Sequence, residues 1–456
     1  MPIKLFNSLT REKEEFVPLN APNVSFYNCG PTVYGEFHIG NARNFIVMDT
    51  IRRWLMARGF TVKYVQNITD VDDKIINRAN KEGVTPEAIA EKYTAYFLNK
   101  LKQLGNLPAD AYPKATEFIG PMVDMIRLLE ERGHAYATPE GSVWFEVGTC
   151  KSYGRLSRMP LEDMRQGERV DQAMLSLKRS PLDFCLWKAA KPGEPFWPSP
   201  WSAGRPGWHI ECSCMSLKTF ATETIDIHAG GSDLKFPHHE NEIAQSEAAT
   251  GKQFARYWLH NGMLDIDGEK MSKSLGNILS LGSAESVIDA LGLRYFLLSA
   301  RYRDKLDFTE DNIHQCKSAV ERLTSATREA LRASAGAAPR ETPEVLALAQ
   351  EFADAMDDDI NTPRAFGAML QLVTLTNSLR QAGDLPALAG AVAALVTMRE
   401  SIGLGQALET DREAIPAELA APLAELSQQI RSLLGDHATI PVPASGAPAT
   451  DFIRYL

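Results

Sequence analysis

Two β-rich runs separated by a glycine-rich turn and one helix constrain the fold of this chain more than any other feature. The first run, residues 24–28, is β-branched and aromatic, and the second occupies residues 61–68. Between them, residues 41–59 carry apolar side chains at helical spacing. Strand, helix and strand in this order form a βαβ unit, whose two strands lie parallel in one sheet. The sequence therefore predicts an α/β fold with a parallel sheet.

The turn between the first strand and the helix has the composition of a phosphate-binding loop. Gly30, Gly35 and Gly40 allow the backbone to approach a ligand closely. The helix that follows offers unpaired N–H groups and the positive end of its dipole to a phosphate. Glycine-rich turns also occur in proteins that bind no nucleotide, so this interpretation depends on distant segments of the chain.

Length and composition are those of a soluble globular protein with about three domains. The chain has 456 residues and a formal net charge of −10, with 44% hydrophobic and 23% charged residues. No apolar run reaches transmembrane length, and residues 1–6 lack the basic-then-apolar order of a secretory signal. We therefore expect a cytoplasmic protein with no membrane partner. The negative charge argues against a surface that coats nucleic acid, but it is compatible with a local basic face.

The pattern changes twice further along the chain. A hairpin at residues 135–147 leads into an irregular stretch, residues 148–205, that is rich in proline and tryptophan. This stretch has the character of an insertion between two halves of a nucleotide-binding fold. Its basic residues are interleaved with acidic ones, which is typical of a solvated face as much as of an RNA surface. From residue 284 onward nearly every segment is helical in pattern, with a linker at residues 333–343.

Two later segments carry residues suited to binding an anion. One is a predicted strand that ends in a glycine-rich loop containing Gly230 and Asp233. The other, residues 263–274, combines a strand, an Asp-Gly turn and a loop in which Lys270 and Lys273 flank hydroxyl side chains. Lysine ammonium groups neutralise polyphosphate as point charges, and serine hydroxyls add hydrogen-bond donors.

Cys29, Cys212, His238 and Glu242 together match the ligand preferences of Zn²⁺, since they offer two thiolates, an imidazole and a carboxylate. A helix would place His238 and Glu242 on one face. Cys214 competes with Cys212, but the two would face roughly opposite ways on a helix, so we expect only one of them to bind. Spacing alone leaves a second interpretation open, in which the cysteines are core residues, because the chain has no C-x-x-C pair.

Two separated motifs and the blocks between them resemble one family. His38-Ile39-Gly40-Asn41 is similar to the HIGH signature, and Lys270-Met271-Ser272-Lys273-Ser274 is a complete KMSKS signature. This pair marks class I aminoacyl-tRNA synthetases. With the blocks around Cys29, Gly207–Cys212 and Gly230–Glu242, the chain resembles the bacterial cysteinyl-tRNA synthetases over residues 20–330, and again at 355–363.

The resemblance implies a Rossmann-type parallel-sheet catalytic domain with an insertion, followed by a mostly α-helical C-terminal region. Residues 1–114 and 206–262 would be the two halves of the catalytic domain, and residues 115–205 the connective insertion. Residues 263–332 would carry the KMSKS loop and helices that contact the tRNA stem. Residues 333–456 would form a helical anticodon-binding domain. We expect the protein to be a monomer.

The resemblance also implies the reaction. ATP and L-cysteine would give cysteinyl-adenylate and pyrophosphate, and the cysteine would then pass to the terminal ribose of tRNA(Cys). One Zn²⁺ per chain would be held by Cys29, Cys212, His238 and Glu242, with the substrate thiolate as a further ligand. Since Zn²⁺ prefers a thiolate to a hydroxyl, the enzyme would separate cysteine from serine without an editing domain.

Other residues would serve the side-chain pocket and the nucleotide. Thr69 and Trp208 would wall the small side chain, although a core position is an equally simple interpretation of Trp208. Catalysis would consist of positioning and of charge stabilisation in the phosphoryl transition state. The residues assigned to catalysis are His38, Asn41, Lys270 and Lys273. The residues assigned to ATP are Gly40, Gly230, Asp233 and Lys273, with Mg²⁺ held largely by phosphates and water.

Three points depart from the family pattern or stay open. Asn41 stands where the HIGH signature has histidine, and an asparagine cannot carry a proton charge. The acidic loop at residues 69–74 either caps the next helix or contributes to a magnesium or substrate site. A set of basic residues after the lysine loop either grips the tRNA stem or is solvated helix charge. This set is Arg294, Arg301, Arg303 and Lys305.

Two other functions are compatible with the same motifs. A relative with the same adenylate chemistry would pass cysteine to an aminosugar, as mycothiol-type ligases do, although the long helical region favours tRNA. A nucleotidyltransferase with a HIGH-type turn, or an inactive zinc- and RNA-binding relative, is the second alternative.

Overall fold

The computed structural model describes residues 2–159, 164, 178–271 and 277–405. The chain begins with a hairpin and then enters a central sheet. The elements, in chain order, are β1 (Lys4–Asn7), β2 (Glu12–Glu15), β3 (Asn23–Asn28), α1 (Ile39–Ala57) and β4 (Thr61–Gln66). Strands β3 and β4 pair in parallel, with Asn23 opposite Thr61 and Asn28 opposite Gln66. The predicted βαβ unit is therefore confirmed.

The next part of the chain leaves the central sheet. It comprises α2 (Asp73–Glu82), α3 (Pro86–Gln103), α4 (Ile119–Glu131), β5 (Ala135–Ala137), β6 (Val143–Phe145), β7 (Phe184–Ala189) and β8 (Gly204–Pro206). The four strands form a separate antiparallel sheet, and β5 with β6 is the predicted hairpin. The Asp72 carboxylate accepts a hydrogen bond from the Lys74 N–H and caps α2, as the capping interpretation of this acidic loop requires.

The central sheet is completed after this excursion. The elements are α5 (Trp208–Phe220), β9 (Ile225–Gly231), α6 (Glu240–Thr250) and β10 (Ala255–Asn261). The strand order is β10-β9-β3-β4, and all three pairings are parallel. The chain therefore leaves β3 on one side towards β4 and returns on the other side at β9. Open parallel sheets place their ligand crevice at such a switch point, beyond the carboxyl ends of the strands.

A small sheet and a helical region follow. The small sheet and its neighbours are β11 (Leu264–Ile266), β12 (Glu269–Lys270), α7 (Leu281–Glu285), α8 (Ala290–Leu297) and β13 (Leu306–Phe308). The helical region contains α9 (Glu310–Ala333), α10 (Pro343–Asp357), α11 (Thr362–Ala382) and α12 (Leu385–Ser401). Within residues 277–405 the predicted helical character is confirmed, apart from the short strand β13.

Arg43, on α1, ties the first half of the chain to the segments that flank the small sheet. Its guanidinium donates to the carbonyls of Gly262 (3.0 Å), Met263 (2.7 Å), Arg301 (3.4 Å) and Asp304 (2.7 Å). The side chain is completely buried, and burial lowers its pKa to about 10. Five fixed N–H donors make arginine suited to several carbonyls at once.

The basic residues proposed for the tRNA stem differ in burial and in their partners. Arg294 is completely buried, and its guanidinium donates to Asp49 and to the Ile402 carbonyl, so its assignment to the tRNA stem was wrong. The periodicity of α8 gave no sign of an ion pair with a residue so distant in sequence. Arg303 pairs with Asp359, whereas Arg301 is exposed. Among the described residues, no helix is long and apolar enough to cross a membrane.

Candidate functional site

The four predicted metal ligands meet at the switch point of the sheet. Cys29 follows β3, Cys212 lies on α5, His238 precedes α6 and Glu242 lies on α6. One ligand atom from each lies within 4.8 Å of every other, and all four residues are buried. The Cys29 sulfur is 3.9 Å from the Cys212 sulfur and 3.6 Å from Glu242 Oε1. The Nε2 of His238 is 3.0 Å from the same oxygen.

The backbone around Cys29 is fixed by close contacts that only glycine permits. The Cys29 N–H donates to the Ala229 carbonyl at 3.0 Å, which holds the residue against β9. The Gly30 N–H donates to the Asn67 side-chain oxygen at 2.8 Å. A Cβ at Gly30 would lie 1.7 Å from the Asn67 carbonyl oxygen, which no real structure tolerates. The glycine therefore allows the cysteine to sit between two strands.

Helices α5 and α6 are held in register by a polar contact. The Ser213 hydroxyl donates to the Glu242 carbonyl at 3.3 Å. The Gln245 amide donates to the Ser213 hydroxyl at 2.8 Å and to the His209 carbonyl at 2.9 Å. These buried bonds place the Cys212 side chain opposite Glu242. Cys214 instead packs in a second hydrophobic core with the insertion sheet, and burial raises its pKa to about 12.

Burial controls the protonation of this cluster. Burial raises the pKa values of Cys29, Cys212 and Glu242, because it disfavours the charged form of each group. A divalent cation would reverse that balance, because coordination ionises a thiol. Two thiolates, an imidazole and a carboxylate fit an ion of the zinc type. A bound cation would also account for Glu242 Oε2, which is buried without a hydrogen-bond partner among the described residues.

Two histidines that the sequence did not single out complete the cluster. His228, on β9, has its Nε2 3.5 Å from the Cys29 sulfur and 3.2 Å from Glu242 Oε2. His239 has its Nε2 3.9 Å from Glu242 Oε1. Both are fully buried, and burial lowers the pKa of His228 to about 3. The place of His228 follows from the pairing of β9 with β3, which sets Tyr27 opposite His228, whereas His239 directly precedes α6. That register is not readable from either strand alone.

Thr69 contacts the first turn of α5, and Trp208 is the first residue of that helix. The Thr69 hydroxyl donates to Glu211 at 2.8 Å. The Trp208 ring stacks on His238 with the ring centres 4.0 Å apart and the planes at 22°. Trp208 is only partly buried, so it is not the enclosed core tryptophan of the alternative interpretation.

The residues predicted for the nucleotide lie around the start of α1. His38 is the N-cap: its Nδ1 accepts from the Asn41 N–H, and the Asn41 side-chain oxygen accepts from the His38 N–H, each at 3.3 Å. A Cβ at Gly40 would lie 3.1 Å from the Met271 side chain, so the KMSKS segment begins beside the HIGH turn. Lys270 is exposed at the end of β12.

Two other predicted nucleotide residues lie in and just after the last part of β9. Gly230 is the last but one residue of β9 and lies against the His239 ring, and Asp233 is exposed in the short turn that follows. Lys273 lies outside the described residues.

Comparisons with known proteins show the family to which the chain is similar. Residues 15–318 match the family model "tRNA synthetases class I (C) catalytic domain", and residues 351–406 match the "DALR domain" model. A cysteine–tRNA ligase of Symbiobacterium thermophilum is 48% identical over 93% of this chain and 91% of its own length. One of Thermococcus onnurineus is 44% identical over 99% of this chain and 98% of its own.

Solved structures share the fold at low sequence identity. A Mycobacterium tuberculosis methionyl-tRNA synthetase in complex with methionyl-adenylate aligns with a TM-score of 0.64 at 15% identity, covering 85% of this chain and 93% of its own. The predicted Rossmann-type fold with its helical C-terminal region is confirmed, and neither alternative function is favoured. The extent and identity of these matches show that the chain belongs to the cysteine–tRNA ligases, a family of class I tRNA synthetases.

Proposed function

We propose that this cysteine–tRNA ligase recognises the thiol of L-cysteine through one Zn²⁺ held by Cys29, Cys212, His238 and Glu242. The observation that carries the proposal is the convergence of these four side chains, from three separate stretches of sequence, within 4.8 Å of one another. When bound, Zn²⁺ supplies a Lewis acid that prefers sulfur to oxygen and stabilises a thiolate at neutral pH. A hydrophobic pocket alone would separate cysteine from serine by only about 10².

The protein residues around this centre orient the amino acid. Trp208, stacked on His238, forms one wall of the side-chain pocket, and Thr69 forms another. The buried Glu211 carboxylate fixes the Thr69 hydroxyl and so holds that wall in place. A rigid pocket of this kind reduces the entropy lost when a small substrate is positioned for reaction.

ATP binds at the start of α1 in this proposal. The carboxylate of cysteine attacks the α-phosphorus of ATP, which releases pyrophosphate with Mg²⁺ and leaves cysteinyl-adenylate. Gly40 allows the phosphates close to the helix, and His38 and Asn41 line its first turn. Lys270 and Lys273 neutralise the triphosphate from the KMSKS loop, while Gly230 and Asp233 contact the nucleotide from the end of β9.

The helical region serves tRNA(Cys). Helix α9 begins before the matched catalytic segment ends at residue 318, and the matched DALR segment, residues 351–406, starts within α10. We assign anticodon binding to residues 333–456, stem contacts to residues 263–332, and the connective role to residues 115–205. We assign the protein one zinc ion per chain, a monomeric state and a cytoplasmic location.

Two measurements on the purified chain test the proposal. Aminoacylation of bulk tRNA with labelled cysteine tests the acceptor, and cysteine exchange without charging would contradict it. Metal analysis tests the ligands: we expect about one zinc per chain, sharply weakened in Cys212→Ala and retained in Cys214→Ala. The second variant is a matched control, because both thiols are buried on α5 and only one faces the cluster. Equal retention in both variants refutes the ligand assignment.

A further inference from the structure

A second group of metal-ligating atoms overlaps the first. Cys29, His228, His239 and Glu242 also have one ligand atom each within 4.8 Å of every other, and all four are buried. The group shares Cys29 and Glu242 with the first set. It replaces Cys212 and His238 by two imidazoles. A thiolate, two imidazoles and a carboxylate are again ligands that a divalent transition metal of the zinc type accepts.

Glu242 faces both groups at once. Its Oε1 is 3.0 Å from the Nε2 of His238, which belongs to the first set. Its Oε2 is 3.2 Å from the Nε2 of His228, which belongs to the second. One carboxylate therefore contacts an imidazole of each set, and Cys29 lies within 3.6 Å of Glu242 Oε1 and 3.5 Å of His228 Nε2.

The second group also contains two buried polar atoms that lack a hydrogen-bond partner among the described residues. Glu242 Oε2 and His239 Nε2 are fully buried and make no hydrogen bond among the described residues. Buried polar atoms are nearly always paired, and a cation between them would satisfy both. The other ring nitrogen of His239 is held, because its Nδ1 lies 2.8 Å from His260 Nε2, and His260 Nδ1 lies 2.9 Å from the Ser8 hydroxyl. Outer partners of this kind orient imidazoles that bind metals.

We propose that Cys29, His228, His239 and Glu242 form a second position for the same divalent transition-metal ion, overlapping the first and exclusive of it. This inference rests on the proposed zinc site. The two positions exclude each other because both use Cys29 and Glu242 as ligands.

Charge explains what a second position contributes. The first set supplies two thiolates and a carboxylate, and the arriving substrate thiolate is a further anion. The second set supplies one thiolate and one carboxylate, together with two neutral imidazoles. An ion displaced towards His228 and His239 therefore keeps more of its positive charge for the substrate sulfur.

Cobalt binding tests the two positions without any measurement of activity. Co²⁺ replaces Zn²⁺ in such sites, and its sulfur charge-transfer absorption reports the number of thiolate ligands. In the full chain we expect two protein thiolates. In Cys212→Ala the affinity falls on the order of 100-fold, and the bound ion retains one thiolate.

The decisive comparison uses two histidine substitutions in the Cys212→Ala chain. There, His239→Asn lowers Co²⁺ affinity by a further factor of about ten or more, whereas His238→Asn changes it less than about threefold. In the parent chain we expect the opposite result, in which His238→Asn lowers Co²⁺ affinity more than His239→Asn does. If the same histidine substitution causes the larger loss of Co²⁺ affinity in the parent chain and in Cys212→Ala, the inference is overturned. A folded Cys212→Ala chain that binds no Co²⁺ also overturns it.

If the proposed zinc site itself is wrong, the parent chain binds no metal. This result is distinct from the failure of the second position alone. Far-ultraviolet circular dichroism and the melting temperature of each metal-free variant show that it is folded. Cys214→Ala serves as the control for removal of a buried thiol from α5.

Discussion

The Thr69 hydroxyl donates a 2.8 Å hydrogen bond to the Glu211 carboxylate, and both side chains are 1% exposed. This bond joins the loop after β4 to the first turn of α5, the helix that carries Cys212. The two segments lie far apart in the sequence, so one buried contact holds them together in the fold.

The first prediction concerns this contact. Thr69→Val removes the donor and should raise the KM for cysteine in pyrophosphate exchange about tenfold, the effect of one hydrogen bond of about 1.4 kcal/mol, with little change in kcat. Thr69→Ser and Glu211→Gln keep a donor and an acceptor and should stay close to the parent. In a double-mutant cycle, Thr69→Val and Glu211→Leu should be less than additive. Strict additivity would show that the residues act independently.

The second prediction concerns the turn after β3. Gly30→Ala forces a Cβ to within 1.7 Å of the Asn67 carbonyl oxygen, so the turn must move and Cys29 with it. We expect loss of bound zinc and of cysteine-dependent exchange in a chain that still folds. Gly120→Ala is the matched control, because a Cβ there meets nothing within 4 Å. Normal zinc content in Gly30→Ala would contradict the role of this turn.

The third prediction concerns a buried ion cluster and its pH dependence. Burial raises the pKa of Asp49, but Arg53 and Arg294 lower it by more than burial raises it. The net pKa of Asp49 therefore lies below its usual range. Asp49 accepts from Arg53 Nε at 2.8 Å and from the Leu107 N–H at 2.8 Å. Asp49→Asn leaves two guanidinium groups without their anion and should destabilise the fold by about 3 kcal/mol at neutral pH.

The sign of the pH effect follows from the lowered pKa of Asp49. Its stabilising contribution is fully present above about pH 4, the pKa of an unfolded aspartate, and is lost as the pH falls through the lower folded value. The difference between parent and Asp49→Asn in urea midpoint should therefore shrink in acid. A difference that stays constant from pH 7 to about pH 2 would exclude an ionic role.

The fourth prediction concerns the junction of the helical region with the catalytic domain. Asp359 accepts from the Phe6 N–H, the Tyr302 hydroxyl and Arg303 Nε, each at 2.8 Å. Asp359→Asn keeps two acceptor contacts but turns an amide towards the guanidinium. We expect tRNA charging to fall about tenfold, as the loss of one charge-assisted bond implies, while pyrophosphate exchange changes less than twofold. Equal losses in both assays would argue against a docking role.

The sequence revealed the parts of this fold that depend on local pattern. The β-branched and aromatic run before Cys29 and the periodicity of α1 indicate a βαβ unit because they concern neighbouring residues. The four candidate ligands were predicted because their side-chain types suit zinc and because the resemblance to one family gave their context. Cys214 was separated from Cys212 by helix geometry alone.

The parts that the sequence did not reveal depend on contacts across the chain. His228 reads as one residue of a buried strand until the register of β9 against β3 is known. Arg294 resembles a surface cation on a short helix, but its partners lie near residues 49 and 402. Asp359 adopts a left-handed backbone with φ of 61°, which no local pattern indicates for a residue other than glycine.

The contacts of Arg43 indicate which positions of this fold can change in sequence among related chains. All four of its partners are main-chain carbonyls, at residues 262, 263, 301 and 304. Side chains at three of those positions can therefore change while the connection survives, provided that the backbone keeps its path. Position 262 is the exception, because a Cβ there would lie 2.2 Å from the Asp304 carbonyl oxygen. In related chains, arginine at 43 and glycine at 262 should be retained or lost together, even where the intervening sequence has drifted.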